Sequence, residues 1–375
     1  MKEEIFVTKP YLPPKEEYME YLDKIWETRH LTNHGPFLME FTDQLCELLD
    51  VDNCLPMTNG HMALEMTIQA FKLTGEVITT PYTFASTTHA IVRNGLTPVF
   101  CDVRESDCTM DPDKIEALIT DKTSAIVPVH VYGMPCDVKA IDAIAKKHNL
   151  KVIYDAAHAF GETIDGESIV HFGDASMFSF HATKCFTSIE GGCSVVNDQD
   201  LMLRIYQLHN FGIMNEESVA YVGANAKMNE FQAAMGLCNL KHFDEITVQR
   251  KAVVDLYMKL LAGVKGIRLL DYNNEHIKFN YSYFPIFIDK DEFGMSRDEV
   301  YDYLLKNGIH ARKYFYPITS EFECYQDSGF RGDVSIAKRL STMVLTLPLY
   351  PDLATDIVER ICELLKTAGK KGKLK

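Results

Sequence analysis

Apolar positions along the chain follow two alternating rhythms. Residues 36–49 carry Phe37, Phe41, Leu45 and Leu48 at helical spacing, after the loop-type run Leu31-Thr32-Asn33-His34-Gly35-Pro36. An earlier helical pattern surrounds Tyr18–Trp26. From about residue 52 to 200 short apolar runs alternate with helical stretches. The strand-type runs are a short one from Cys54 ahead of the turn at Gly60, Glu76–Pro81, Thr97–Val103, Ser124–Val131, Lys151–Tyr154 and Ser176–Phe180. The stretches between them predict helices from the turn at Gly60 to about Leu73, after Phe84 through Val92, over Asp111–Ile119 and over Cys136–His148. Strands separated by 10–15-residue helical patterns imply βαβ units and a largely parallel sheet.

Beyond that run the rhythm changes. A loop at Val222–Met228 leads into a helix with Asn229 and Glu230 near its N-cap, and a long helix spans about His242–Ala262. Strands at Tyr281–Ile288 and Val344–Leu347, with helices near 296–307 and 351–367, predict a smaller α+β unit. The expected division is an N-terminal arm and large domain over 1–245 and a small domain over 246–375.

Composition narrows the class without fixing a function. With 375 residues, 46% hydrophobic and 24% charged, the chain can bury a large core. No window approaches the ~20 apolar residues of a membrane span, and the first residues lack a signal-peptide core, so a cytoplasmic protein is expected. The net charge of −15 argues against nucleic-acid binding, and it requires local donors for any anionic substrate. Ten cysteines without metal or disulfide spacing read as reduced core residues. No metal is expected. The basic tail Lys370-Lys371-Gly372-Lys373-Leu374-Lys375 reads as a frayed terminus.

Two strand ends carry chemistry. One apolar run stops at Asp155, inside Asp155-Ala156-Ala157-His158-Ala159-Phe160-Gly161. The other continues as Ser179-Phe180-His181-Ala182-Thr183-Lys184, with Glu190-Gly191-Gly192 shortly after. Alone, such an Asp is a turn former or N-cap, and such a Lys a solvated edge charge. Together they supply what an aldehyde cofactor requires: an amine to hold it as an imine and an acid partner for its ring nitrogen. In Asn59-Gly60-His61-Met62 a glycine turn opens a helix, the geometry in which free N–H groups face an anion.

These motifs resemble the DegT/DnrJ/EryC1/StrS family of pyridoxal-phosphate (PLP) sugar aminotransferases, over about Leu31 to Leu353. The resemblance implies the aspartate aminotransferase-like fold (fold type I): a seven-stranded, mostly parallel sheet domain and a smaller α+β domain. It implies that Lys184 binds PLP and moves the proton between the donor's Cα and the cofactor's C4′. Asp155 then pairs with the pyridine nitrogen, His158 contacts the 3-hydroxyl, and Phe84 stacks on the ring. Ser179 and the amides of Gly60, His61 and Met62 hold the phosphate. His61 stands where relatives usually carry threonine. Asn225 matches a family asparagine that reaches the neighbouring subunit's phosphate, which implies a homodimer with shared active sites. Arg312, Lys313, Tyr314 and Tyr316 are the candidate diphosphate or sugar ligands.

The implied reaction takes the amino group of L-glutamate, releases 2-oxoglutarate, and delivers the amine to a nucleotide-linked keto sugar. The Asp-Ala-Ala-His form is similar to the branch of the family producing dTDP-4-amino-4,6-dideoxy-D-glucose, from dTDP-4-keto-6-deoxy-D-glucose. Amination at C3 is the alternative on the same scaffold. Sugar dehydration with pyridoxamine phosphate is disfavoured by Lys184, because such relatives replace the lysine. A non-catalytic role is disfavoured by the intact Asp155 and Lys184 pair.

Overall fold

A computed structural model describes residues 4–372 of the chain. Seven strands build the central sheet: β1 (Cys54–Met57), β2 (Glu76–Thr79), β3 (Thr97–Phe100), β4 (Thr123–Val127), β5 (Lys151–Asp155), β6 (Ala175–Ser179) and β7 (Gly192–Val195). Their spatial order is β1-β7-β6-β5-β4-β2-β3. Only β7 runs antiparallel to its neighbours, pairing Gly192 with Met57 on one side and with Ser179 on the other. This β7, following directly on the Glu-Gly-Gly turn, was absent from the strand pattern above.

The sheet is nearly continuous apolar sequence because helices cover both of its faces. One face packs on α3 (Gly60–Ala70), α4 (Ala85–Arg93) and α6 (Gln199–Leu208) through Leu64, Ile68, Ile91 and Ile205. The other receives α5 (Val138–His148), and α1 (Lys15–Thr28), α2 (Pro36–Leu49) and α7 (Glu230–Lys241) around Phe41, Phe160, Phe180 and Phe186.

The long helix α8 (Phe243–Leu261) leads to a three-stranded antiparallel sheet of β8 (Ile267–Leu269), β9 (Phe284–Ile288) and β10 (Val344–Leu347). Helices α9 (Arg297–Lys306), α10 (Ser335–Met343) and α11 (Thr355–Gly372) complete this layer. The start of the chain joins it, since Ile5 and Phe6 pair in parallel with Ile309 and His310.

Three expectations differ from the structure. The helix expected over Asp111–Ile119 is two short 3₁₀ turns, Pro112–Lys114 and Glu116–Leu118, started by the Asp111 side chain accepting the Asp113 amide. The strand expected over Ser124–Val131 ends at Val127, because the chain turns at Pro128 and Tyr132 takes a left-handed φ of 61°. The tail is helical through Gly372; residues 373–375 lie outside the described residues. All ten cysteines are free thiols, eight of them buried.

Candidate active site

The site forms where β1, β5 and β6 end on the same edge of the sheet and the loops from the small layer close over them. A cavity of about 580 Å³ opens there, lined by Gly60, Phe84, Asp155, His158, Ser179 and Lys184, and by Tyr283, Arg312 and Tyr314 from the C-terminal half.

Asp155 is the last residue of β5 and is buried. Its Oδ2 accepts a hydrogen bond from the Thr87 hydroxyl (2.7 Å) and its Oδ1 one from the Ala157 amide (3.1 Å). Burial raises its pKa, opposed by those two hydrogen bonds and by the charge of Lys184. Lys184 lies in the turn after β6, with its amine 5.7 Å from the centre of the Tyr283 ring. Burial lowers its pKa, while Asp155 acts in the opposite sense. A desolvated lysine is a better nucleophile near neutral pH than a solvated one.

His158 is buried, and its Nδ1 accepts the Tyr132 amide (3.0 Å). Burial and the nearby Lys184 hold its pKa well below the ordinary value, so the ring is neutral and its proton sits on Nε2. Phe84 precedes α4 and is 56% exposed although its neighbours Tyr82 and Thr83 are buried. An exposed aromatic face on a cavity wall is a stacking platform.

The anion cradle is built by close approach. A Cβ on Gly60 would lie 2.8 Å from the Ser179 Cβ, so only glycine lets the start of α3 sit against β6. The Asn59 side chain caps the Met62 amide at 2.9 Å. The amides of Gly60 and His61, in the first turn, have no intrahelical acceptor and remain as donors. The His61 ring is taken up by Ser86 (2.8 Å) and Glu65 (3.0 Å).

The other expected site residues divide. Arg312 and Tyr314 line the cavity. Lys313 pairs with Asp298 (2.5 Å) and lies over Tyr301, and Tyr316 stacks under the Arg297 guanidinium; neither lines the cavity. Asn225 is exposed outside it, its side-chain oxygen accepting from Lys227 (2.9 Å). Thr87 and Tyr283 escaped the sequence reading. Thr87 lies in the first turn of α4, remote in sequence from the carboxylate it holds, and Tyr283 reads as an ordinary apolar residue of the run leading into β9.

Residues that fit PLP are therefore present in one cavity: an amine, a buried acid, a phosphate cradle that a single Cβ would fill, and an uncovered aromatic ring. Fold and site together define a PLP-dependent aminotransferase of fold type I. The chain belongs to the DegT/DnrJ/EryC1/StrS aminotransferase family, whose model matches residues 14–366. It is 44% identical over 366 residues to the dTDP-4-amino-4,6-dideoxy-D-glucose transaminase of Shigella dysenteriae, covering 98% of this chain and 99% of that protein. The enzyme of that name from Escherichia coli is 46% identical over 364 residues, covering 96% and 97%. Among solved structures, DesI in the presence of its TDP-sugar product matches with a TM-score of 0.95 and 36% identity, over 100% of this chain and 95% of that one. Helicobacter pylori PseC, an aminotransferase of pseudaminic acid biosynthesis, matches with a TM-score of 0.92 and 26% identity, over 98% and 100%.

Proposed function

We propose that this enzyme transfers the amino group of L-glutamate to C4 of dTDP-4-keto-6-deoxy-D-glucose, giving dTDP-4-amino-4,6-dideoxy-D-glucose. The observation that carries the substrate is the end-to-end similarity, at 44% and 46% identity, to two transaminases named for that product. The cavity is consistent with it: Arg312 and Tyr314 stand on the wall away from the sheet, where a diphosphate needs donors that the net charge of −15 does not supply.

Bound PLP supplies an electron sink for the carbanion left when a proton leaves the donor's Cα. The chain's own residues do the rest. Asp155 keeps a proton on the ring nitrogen, since a buried carboxylate gains most from an adjacent cation. Lys184 would hold the cofactor through its amine, and as a free base it would take the proton from the donor's Cα and carry it to the carbon that receives it. His158 would donate from Nε2 to the 3-oxygen, and Phe84 would cover the ring. Ser179 with the Gly60 and His61 amides receives the phosphate, while the Met62 amide is already capped by Asn59. Asn225, exposed and outside its own cavity, reaches the phosphate of a second copy, so the active unit is a homodimer in the cytoplasm.

An absorbance spectrum of the purified protein tests this reading. A band near ~415 nm, from lysine-bound PLP, is expected to move to shorter wavelength with L-glutamate and to return on addition of dTDP-4-keto-6-deoxy-D-glucose. Return with a 3-keto isomer alone would replace the C4 assignment by C3.

A further inference from the structure

Lys184 must change charge twice in each half-reaction, since its amine takes a proton from one carbon and returns it to another. Yet among the described residues no carboxylate lies within ion-pair distance of that amine. Asp155 acts on it only through space, and both Asp155 oxygens already accept hydrogen bonds. What the amine does face is an aromatic ring, that of Tyr283 at 5.7 Å, within the range of a cation–π contact.

The ring is held more firmly than packing alone requires. Tyr283 is 4% exposed, and burial raises the pKa of its hydroxyl to about 12. Its carbonyl accepts from the Tyr272 hydroxyl (2.8 Å). The buried Arg250 donates to the carbonyls of Tyr281 (2.9 Å) and Ser282 (2.7 Å), the two residues before it. Edge-to-face contacts with His158 (4.9 Å) and Tyr314 (6.0 Å) fix the plane of the ring.

We propose that Tyr283 is a positioning residue for the reaction, its ring face receiving the ammonium that Lys184 becomes while it carries the transferred proton. This rests on the aminotransferase reading of the site. A carboxylate in the same place would hold the proton too tightly to release it. The quadrupole of a ring stabilises the cation without being a base, so the amine both accepts and returns the proton. Besides Tyr283, the groups acting on the lysine nitrogen are Asp155 from β5, Cys185 next in the chain and Tyr314 from the small layer, and the neutral His158 also lines the cavity.

The test is the pH midpoint for acetylation of Lys184 by acetic anhydride in the pyridoxamine form of the enzyme, where its amine is free, read by peptide mass spectrometry; it reports the proton on the lysine nitrogen without turnover. Tyr283→Phe keeps the ring face and should titrate with the wild type. Tyr283→Leu should titrate about one pH unit lower, a roughly tenfold loss of proton affinity. Tyr283→Met, which keeps apolar bulk without a ring face, should shift the midpoint in the same direction, and it serves if the leucine variant does not fold. A leucine midpoint equal to wild type, a phenylalanine midpoint displaced as far as leucine, or, where leucine does not fold, an unshifted Tyr283→Met overturns the proposal. A wild-type protein that takes up no PLP overturns the reading of the site, and this inference with it.

Discussion

Two buried bases show how single residues are tuned by desolvation. Lys184 is kept in a cavity where its charged form is disfavoured, and nothing else in the cavity is a primary amine. Lys184→Ala should lower transamination at least ~10³-fold, the general-base and covalent contributions being lost together. Thermal melting of the cofactor-free protein should be unchanged or raised, because a desolvated amine is removed. Residual turnover within tenfold of wild type would place the chemistry on another group. His130, just after β4, stacks on Tyr154 (4.6 Å), accepts the Cys136 amide (3.0 Å), and is pushed down by burial to about 3. Its folded pKa lies below its unfolded one, so the unfolded chain binds the extra proton and stability falls as pH drops from 6.5 towards 3. The slope from this group is about 1.4 kcal/mol per pH unit. His130→Gln keeps an acceptor for the Cys136 amide without the titration. Urea midpoints between pH 6 and 4 should therefore vary less in the variant, and equal acid sensitivity would assign the proton uptake elsewhere.

At the scale of elements, a helix start can borrow an acceptor from a distant part of the chain. Glu230, the first residue of α7, is buried and accepts the amides of Phe37 and Leu38 (both 2.9 Å) at the start of α2. Gly35 makes room for it, since a Cβ there would lie 2.4 Å from the carboxyl carbon of Glu230. Glu230→Ala leaves two buried amides without an acceptor beside the positive end of a helix. We expect a loss of about 2–4 kcal/mol in urea unfolding at pH 7, and a loss below 0.5 kcal/mol would mean water replaces the carboxylate. Local rules made part of this legible. The Asn229 capping box and the Pro36–Leu49 helix follow from residues three and four apart. That Glu230 caps a helix 193 positions away does not, because the contact exists only after folding. The same holds for Thr87 on Asp155 and Tyr283 on Lys184, whereas Asp155, Lys184 and Gly60 were legible because strand ends and glycine turns are local signals. The failed helix at Asp111–Ile119 shows the converse: an Asp-Pro start is a sound local cue, but it started only short 3₁₀ turns.

For the whole molecule, exposed apolar side chains gather in the sequence around Asn225. Phe211 is 48% exposed, Met214 46%, Val219 66% and Val222 89%, within a dozen residues of sequence. Residues 213–219 form a two-stranded hairpin that carries several of these side chains outward. Lys227 supports the same region, its amine bonded to the Asn210 and Asn225 oxygens and lying 4.8 Å from the Phe211 ring centre. A clustered apolar surface of this kind is covered in oligomers. If Asn225 completes a neighbour's phosphate site, then covering that surface and binding the cofactor are one event. Light scattering should give twice the 42.6 kDa of the chain. Val222→Glu should weaken the dimer by burying a charge without a partner. Specific activity of that variant should then fall on dilution and recover at high protein concentration, with PLP affinity following the same curve. Asn225→Ala should weaken PLP binding about tenfold while leaving the mass at two chains. A fully active monomer of Val222→Glu would show that each cavity holds its cofactor without help from a partner.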